Sequence, residues 1–227
     1  MIKELQSLLD GELSCRPYVR LLEAGCGSAS HLNFGGQVRL VGIDISAAQL
    51  ARNASLHEKI VGDVQVYGFP PDSFDAIVCW DVLEHLKHPE LALQQFARAI
   101  KPGGLIILKM PNVLSVKGLV TKLLPHTFHV LAYRYFYGDK DAGKNDTMPF
   151  KTYLRFDISA QRIRKRGEQL GLQTVLVATW DVAGSKWLPR KKTLHFCYVT
   201  LKKIASVLSL GRLGDSELSV VLKKSLT

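Results

Sequence analysis

Between Val19 and Gly27 the chain reads Val-Arg-Leu-Leu-Glu-Ala-Gly-Cys-Gly, an apolar run that breaks into an acid and two glycines one residue apart. The run has the character of a short buried strand. A glycine turn directly after such a strand lets the backbone approach a ligand where a Cβ would stand in the way. A second apolar run, Val38 to Ile43, ends in Asp44. An acid at the tip of a second strand is placed to accept hydrogen bonds from ribose hydroxyls. Strand, glycine turn, a helix starting over Ser28 to Leu32, strand, acid: this order describes the nucleoside-binding half of an α/β, doubly wound, mostly parallel sheet.

The nucleoside is not read as a dinucleotide. That fingerprint is Gly-x-Gly-x-x-Gly, and Ser30 stands at its third glycine. Glu23, just before the first glycine, would repel a pyrophosphate and suits a cationic or amino-bearing ligand.

Further stations follow along the chain. Residues 1–18 read as a lead-in helix and a loop. Ser46 is placed to cap a helix through about Asn53. Glu58 to Val61 makes a short third strand, with Asp63 just beyond it. Ser73 to Trp80 is the fourth strand, followed by Asp81-Val82-Leu83-Glu84-His85-Leu86. Pro89 opens a helix whose apolar face is Leu93, Phe96, Ala97 and Ile100. Lys101-Pro102-Gly103-Gly104 stops it. Leu105 to Met110 is an apolar run broken only by Lys109, as in a buried parallel strand.

Residues 113–157 are longer than a crossover needs and read as an insertion, a lid over the crevice at the carboxyl edge of the sheet. It holds Lys117, Lys122, His126, His129, the cluster Tyr133-Arg134-Tyr135-Phe136-Tyr137, and a glycine- and charge-rich loop from Gly138 to Pro149. The aromatics either line a substrate pocket or form the insertion's own small core. Ser159 to Leu170 is a basic helix closed by Gly171, and Leu172 to Thr179 a sixth strand. Thr193 to Leu210 is apolar at helical spacing, read as core packing in preference to an interfacial membrane helix. Ser219 to Lys223 is a last strand, antiparallel at the sheet edge.

Glu-Ala-Gly-Cys-Gly-Ser resembles the first motif of class I S-adenosylmethionine (SAM) dependent methyltransferases. The phrase from Phe74 to Met110 is similar to the members that share Val-Leu-Glu-His and a Lys-Pro-Gly-Gly turn, among them ubiquinone-biosynthesis and natural-product methyltransferases. The resemblance spans about residues 19 to 112. It implies one Rossmann-like methyltransferase domain over 1–227, with seven strands and the lid after the fifth. It further implies SAM held by Glu23, Gly25, Cys26, Gly27, Asp44, Ile45, Asp63, Val64 and Trp80. Asp63 would accept a hydrogen bond from the adenine amino group, or it is an ordinary surface aspartate. His85 is the candidate general base for a hydroxyl acceptor; it equally suits a role in packing the following helix.

A metal is the less favoured addition. Asp81, Glu84 and His85 are spaced D-x-x-E-H, and on a helix i, i+3 and i+4 share a face. Two carboxylates and an imidazole suit a divalent cation. The run is similar to the E-x-x-E-H of ubiquinone-biosynthesis and small-RNA 2′-O-methyltransferases, which implies a metal that orients hydroxyls, with His126 or His129 as a further ligand. Val-Leu-Glu-His also runs through metal-free methyltransferases, and no residue is assigned to a metal.

Charge bears on the acceptor. The 227 residues carry a formal +10, and residues 117–166 alone hold 11 Lys and Arg against 4 Asp and Glu. That is either an ordinary solvated basic surface or a match for an acidic substrate, an anionic membrane surface or nucleic acid; with the aromatic cluster, the expected partner is a small acidic or aromatic substrate, with peripheral membrane contact as an addition. Nucleic acid is less favoured, since no RNA-binding appendage is visible. Cys15, Cys26, Cys79 and Cys197 show no metal or redox spacing and read as free thiols in a reducing compartment. With no signal h-region and no membrane-spanning run, a cytoplasmic location is expected. The expected activity is O-methylation of a small natural product or lipid-like metabolite. An RNA methyltransferase, a dinucleotide-dependent reductase and a non-catalytic SAM-binding module are the alternatives.

Overall fold

The structure, a computed structural model, describes residues 2–35, 37–132, 134–135, 138, 140–143, 149–181, 199–205, 207 and 213–226. Its frame is a seven-stranded sheet: β1 (Val19–Ala24), β2 (Val38–Asp44), β3 (Glu58–Val61), β4 (Phe74–Trp80), β5 (Ile100–Pro111), β6 (Leu172–Trp180) and β7 (Glu217–Lys224). The order is β3-β2-β1-β4-β5-β7-β6. The pairs β2–β3, β1–β2, β1–β4 and β4–β5 are parallel, and β7 runs antiparallel to both neighbours. The strand order reverses at β1, with β2 and β3 laid down on one side of it and β4 and β5 on the other; ligand crevices form at such a switch point, beyond the carboxyl ends of the strands.

Among the described residues the sheet is accompanied by α1 (Ile2–Leu13), α2 (Ala47–Arg52), α3 (Pro89–Ala99), α4 (Val116–Leu123), α5 (His126–Ala132) and α6 (Ala160–Gln169). On one face, Phe69, Phe74, Phe96 and Ile163 pack with the inward residues of β1, β4 and β5. On the other, α1 inserts Leu5, Leu9 and Leu13 against Leu21, Leu40 and Ile107. β4 is buried along its whole length. Ser46 caps α2 by accepting from the Gln49 amide, and Pro89 sits in the first turn of α3, both as the sequence predicts.

Four expectations are corrected. The helix expected over Ser28 to Leu32 is absent, and turns and bends run from Gly25 to Leu32. The segment has no second apolar turn, and Leu32 plugs the face already covered by α1. The Asp81 run is not an α-helix: only Leu83–His85 form a 3₁₀ turn, because Asp81 takes a left-handed φ of 53°. β7 is not at the edge. It lies between β5 and β6 with its first six residues buried, while β6 alternates buried or half-buried with exposed residues, as an edge strand does. Residues 199–205 are helical as expected, but Leu201 is 52 % exposed and not core. Lys202 is drawn to Asp181 and Asp215 instead, which turns Leu201 outward. Leu194, Cys197, Tyr198 and Leu208 of that run lie outside the described residues.

Candidate active site

The carboxyl ends of β1 and β2 are tied together by backbone. The amides of Gly25 and Cys26 donate to the Ile43 carbonyl at 2.7 and 3.2 Å. Asp44 accepts from the Gly27 amide at 2.9 Å through one oxygen and from the Ser46 amide at 2.9 Å through the other. A carboxylate offers about four lone-pair sites, so two remain for hydroxyls of a ligand. Gly25 and Gly27 both have positive φ, 69° and 54°, but for different reasons. A Cβ on Gly25 would lie 2.2 Å from a Val82 methyl, whereas on Gly27 it would meet only Gln49 Oε1 at 3.9 Å. Gly25 lets the loop after β4 pack close. Gly27 opens room in front of the turn. Ile45, beside Asp44, is 77 % exposed, an apolar surface at the same edge.

Glu23 is buried, with Ser30 donating its hydroxyl and His31 its amide to the carboxylate. Burial pushes its pKa up, and these two bonds work against that. In this structure Glu23 holds the turn after Gly27 in place. Cys26 is buried, and burial with the charges of Glu23 and Asp44 pushes its thiol up to about 12. Asp63 accepts the Gln65 amide at 2.8 Å and the Gln65 side-chain amide on both oxygens; Val64, next to it, is buried. Open room at Gly27, free acceptor positions on Asp44 and an exposed Ile45 fit a ligand that has ribose hydroxyls and an apolar base.

Beyond β4 the residues become ionic. Trp80 ends the strand stacked on His31 at 5.4 Å. Lys109 donates to both Asp81 oxygens at 2.6 and 2.8 Å and pairs with Glu217 at 2.7 Å. Lys117 holds the other Glu217 oxygen at 2.6 Å. Burial works against the Lys109 charge, but Asp81 and Glu217 outweigh it and raise its pKa. Glu84 is buried, and one of its oxygens, Oε2, lacks a hydrogen-bond partner among the described residues. Burial first, then the Asp81 charge, push its carboxyl well above the ordinary 4.5.

His85 stands at this edge with its ring fixed. Its Nδ1 is 2.9 Å from the Lys151 carbonyl, and Phe150 meets the ring edge-on at 5.9 Å. A carbonyl only accepts, so Nδ1 carries the proton and Nε2 keeps a lone pair. Burial lowers the imidazole pKa. The chain returning from the insertion is pinned here as well: Tyr153 and Leu154 both donate their amides to the Glu84 carbonyl, at 2.8 and 3.0 Å, and Leu154 accepts a φ of 40° to do so.

Sequence reasoning thus placed Asp44, Gly25, Gly27, Trp80 and His85 at one edge of the sheet. It missed Glu217, Gln65 and the Lys151 carbonyl; the lone lysine in an apolar strand was the available signal for the ion pair network. Of the donors proposed for a metal, Glu84 Oε1 and His85 Nε2 come within 3.9 Å of each other, but Asp81 and His129 are engaged elsewhere. Asp81 is held by Lys109, and His129 Nε2 faces the Thr121 and Leu124 carbonyls. Among the described residues no group of three or more metal-ligating side chains gathers. Of the aromatic cluster, Tyr133, Phe136 and Tyr137 lie outside the described residues, and Tyr135 is exposed.

Residues 1–208 match the family model described as "Methyltransferase domain". The "Ubiquinone biosynthesis O-methyltransferase" of Xanthomonas campestris pv. campestris is 30 % identical over 131 residues, which are 50 % of this chain and 55 % of that protein. The chain therefore spans about half the length of the curated relatives it matches. Phosphoethanolamine N-methyltransferase 2 of Haemonchus contortus, solved in complex with S-adenosyl-L-methionine, superposes with a TM-score of 0.59 at 16 % identity, over 98 % of this chain and 52 % of that one. The [4+2]-cyclase SpnF superposes with a TM-score of 0.56 at 16 % identity, over 99 % and 81 %. At such identities these structures share the fold alone.

Proposed function

The chain belongs to the methyltransferase domain family, and from that premise we propose that it methylates a hydroxyl of a small natural product or lipid-like metabolite, with His85 as general base. SAM supplies, when bound, a methyl group on a sulfonium that leaves as S-adenosylhomocysteine (SAH). The Gly27 turn, Asp44 and Ile45 would hold it, with Asp63 toward the adenine and Glu23, Gly25, Cys26, Val64 and Trp80 shaping the crevice. The family sets aside the dinucleotide-dependent reductase. The hydroxyl acceptor takes support from the name of the 30 % identical relatives, which are O-methyltransferases.

The observation that carries the reading is the His85 ring. The Lys151 carbonyl keeps the proton on Nδ1, and burial keeps the imidazole neutral to lower pH. Nε2 is then a ready acceptor for the proton that a hydroxyl loses as it attacks. The segment 113–157 would close over this edge and exclude water, and the Glu84 carbonyl, which holds Tyr153 and Leu154, would be its anchor.

Turnover read as SAH release, across a panel of hydroxylated aromatic and lipid-like acceptors, tests the proposal. His85→Ala is expected to lower kcat by about 10²–10⁴ with SAH affinity retained. Because the imidazole pKa is depressed, kcat/KM should rise with pH through a midpoint below the ordinary 6.5. A His85→Ala enzyme as fast as wild type would sink the assignment.

A further inference from the structure

The helical hairpin that follows β5 shows an apolar face to solvent. Val120 and Leu123 of α4, Leu124 of the turn, and Phe128 and Leu131 of α5 are between 42 % and 79 % exposed. Val120 and Leu123 are three apart, as are Phe128 and Leu131, so each pair lies on one helix face. A run of five such side chains is more than scattered surface apolarity requires, and such patches mark contact sites.

The chemistry around it is one-sided. From Leu91 to Gly138 the chain has no Asp or Glu. Lys122, His126, His129 and Arg134 fall within this hairpin and its exit; Lys117, at the start of α4, is taken by Glu217. Beyond Gly138 the charge balances, with Asp139, Asp141, Asp146 and Asp157 among Lys140, Lys144, Lys151 and Arg155, so the cationic excess belongs to the hairpin itself. A second copy of the same face would set cation against cation, so a self-interface is disfavoured by charge. An apolar ridge within a cationic field, on a hairpin too short to span a bilayer, has the composition of an element that lies in the membrane interface. Among the described residues no helix is long and apolar enough to cross.

We propose that the α4–α5 hairpin docks on the surface of a lipid bilayer carrying anionic headgroups, with Leu123 and Phe128 entering the acyl boundary. The inference stands whether or not the methyl acceptor is itself a lipid.

Co-sedimentation with vesicles tests it, using phosphatidylcholine alone and phosphatidylcholine with about one-third phosphatidylglycerol. Wild type is expected to bind the anionic vesicles at least about tenfold more tightly than the neutral ones, and less tightly as salt rises. Leu123→Glu with Phe128→Glu should cost at least about tenfold on the anionic vesicles, with the thermal melt unchanged because both side chains are exposed. Leu131→Ser, a milder change on the same hairpin, should give an intermediate loss and serves if the double variant fails to fold. Equal binding by wild type and variants overturns the proposal, as does a wild type that ignores both vesicles. A solution dimer that the double variant dissolves also overturns it, in favour of a second copy.

Discussion

β4 begins with one buried acid, Asp75, and leads past its carboxyl end to another, Glu84, and the fold treats the two in opposite ways. Asp75 takes Arg16 at 2.7 Å, Lys101 at 2.8 Å and the Arg20 amide at 2.9 Å. Burial opposes its charge, yet these donors outweigh burial and hold its pKa below the ordinary 3.8. Glu84 is buried too, and among the described residues one of its oxygens has no partner; burial first, then repulsion from Asp81, raises its pKa. One end of the strand is satisfied structure. The other carries strain, in Asp81 and Leu154, and unspent polar capacity, which is where functional sites of a doubly wound sheet collect.

The comparison can be broken at five residues, from the largest expected effect to the smallest. Asp44→Ala should weaken SAH binding by about 2–4 kcal/mol in calorimetry, through lost charge-assisted hydrogen bonds and a loosened Gly27 turn, while the unfolding midpoint moves little. Undiminished affinity would remove Asp44 from the cofactor site. Asp75→Ala should do the reverse. It strands Arg16 and Lys101 and should cost about 2–3 kcal/mol in urea unfolding, less than a fully buried pair because both cations reach water, with SAH affinity kept.

Two glycines sharpen the carboxyl end. Gly25→Ala should destabilise by about 2–3 kcal/mol, since its Cβ would collide with Val82 on top of the positive φ. Gly27→Ala should cost only about 1 kcal/mol in stability and show its effect in SAH binding. If the two variants behave alike, the distinction between a packing glycine and a cradle glycine is wrong.

The smallest effect has an unusual sign. Between pH 4.5 and its raised pKa, native Glu84 keeps a proton that the unfolded chain releases. Stability from this group is therefore present below pH 4.5 and lost as pH rises. Glu84→Gln should raise Tm at pH 8, by about 2–4 °C per kcal/mol relieved, and leave it unchanged near pH 4. Asp75 has the opposite slope: its depressed pKa contributes stability that is present above pH 3.8 and lost as pH falls through the folded value. A Tm at pH 8 lowered by Glu84→Gln would show that the carboxyl is charged and paired after all.

What the sequence determined by itself is local. Gly25 and Gly27 announce a turn that only residues tolerant of positive φ can make, Ser46 caps a helix three residues on, and Pro89 starts another. The apolar runs at Val19, Val38, Phe74 and Leu105 are long enough to be read as buried strands. Each signal is complete within a few residues, because backbone dihedrals, caps and periodicity act over that range. Tertiary structure decided everything that depends on a distant partner. No spacing says that Lys109 will meet Glu217, that the Glu84 carbonyl will receive Tyr153 and Leu154, or that β7 will slip between β5 and β6. The same holds for two local readings that failed. Ser28 to Leu32 is no helix because α1, from the chain's start, already covers that face, and the Asp81 run is no helix because Lys109 and Val82's contact with Gly25 hold Asp81 in a left-handed turn. A burial site already filled, or an ion pair made from the next strand, outweighs a local preference worth less than about 1 kcal/mol per residue.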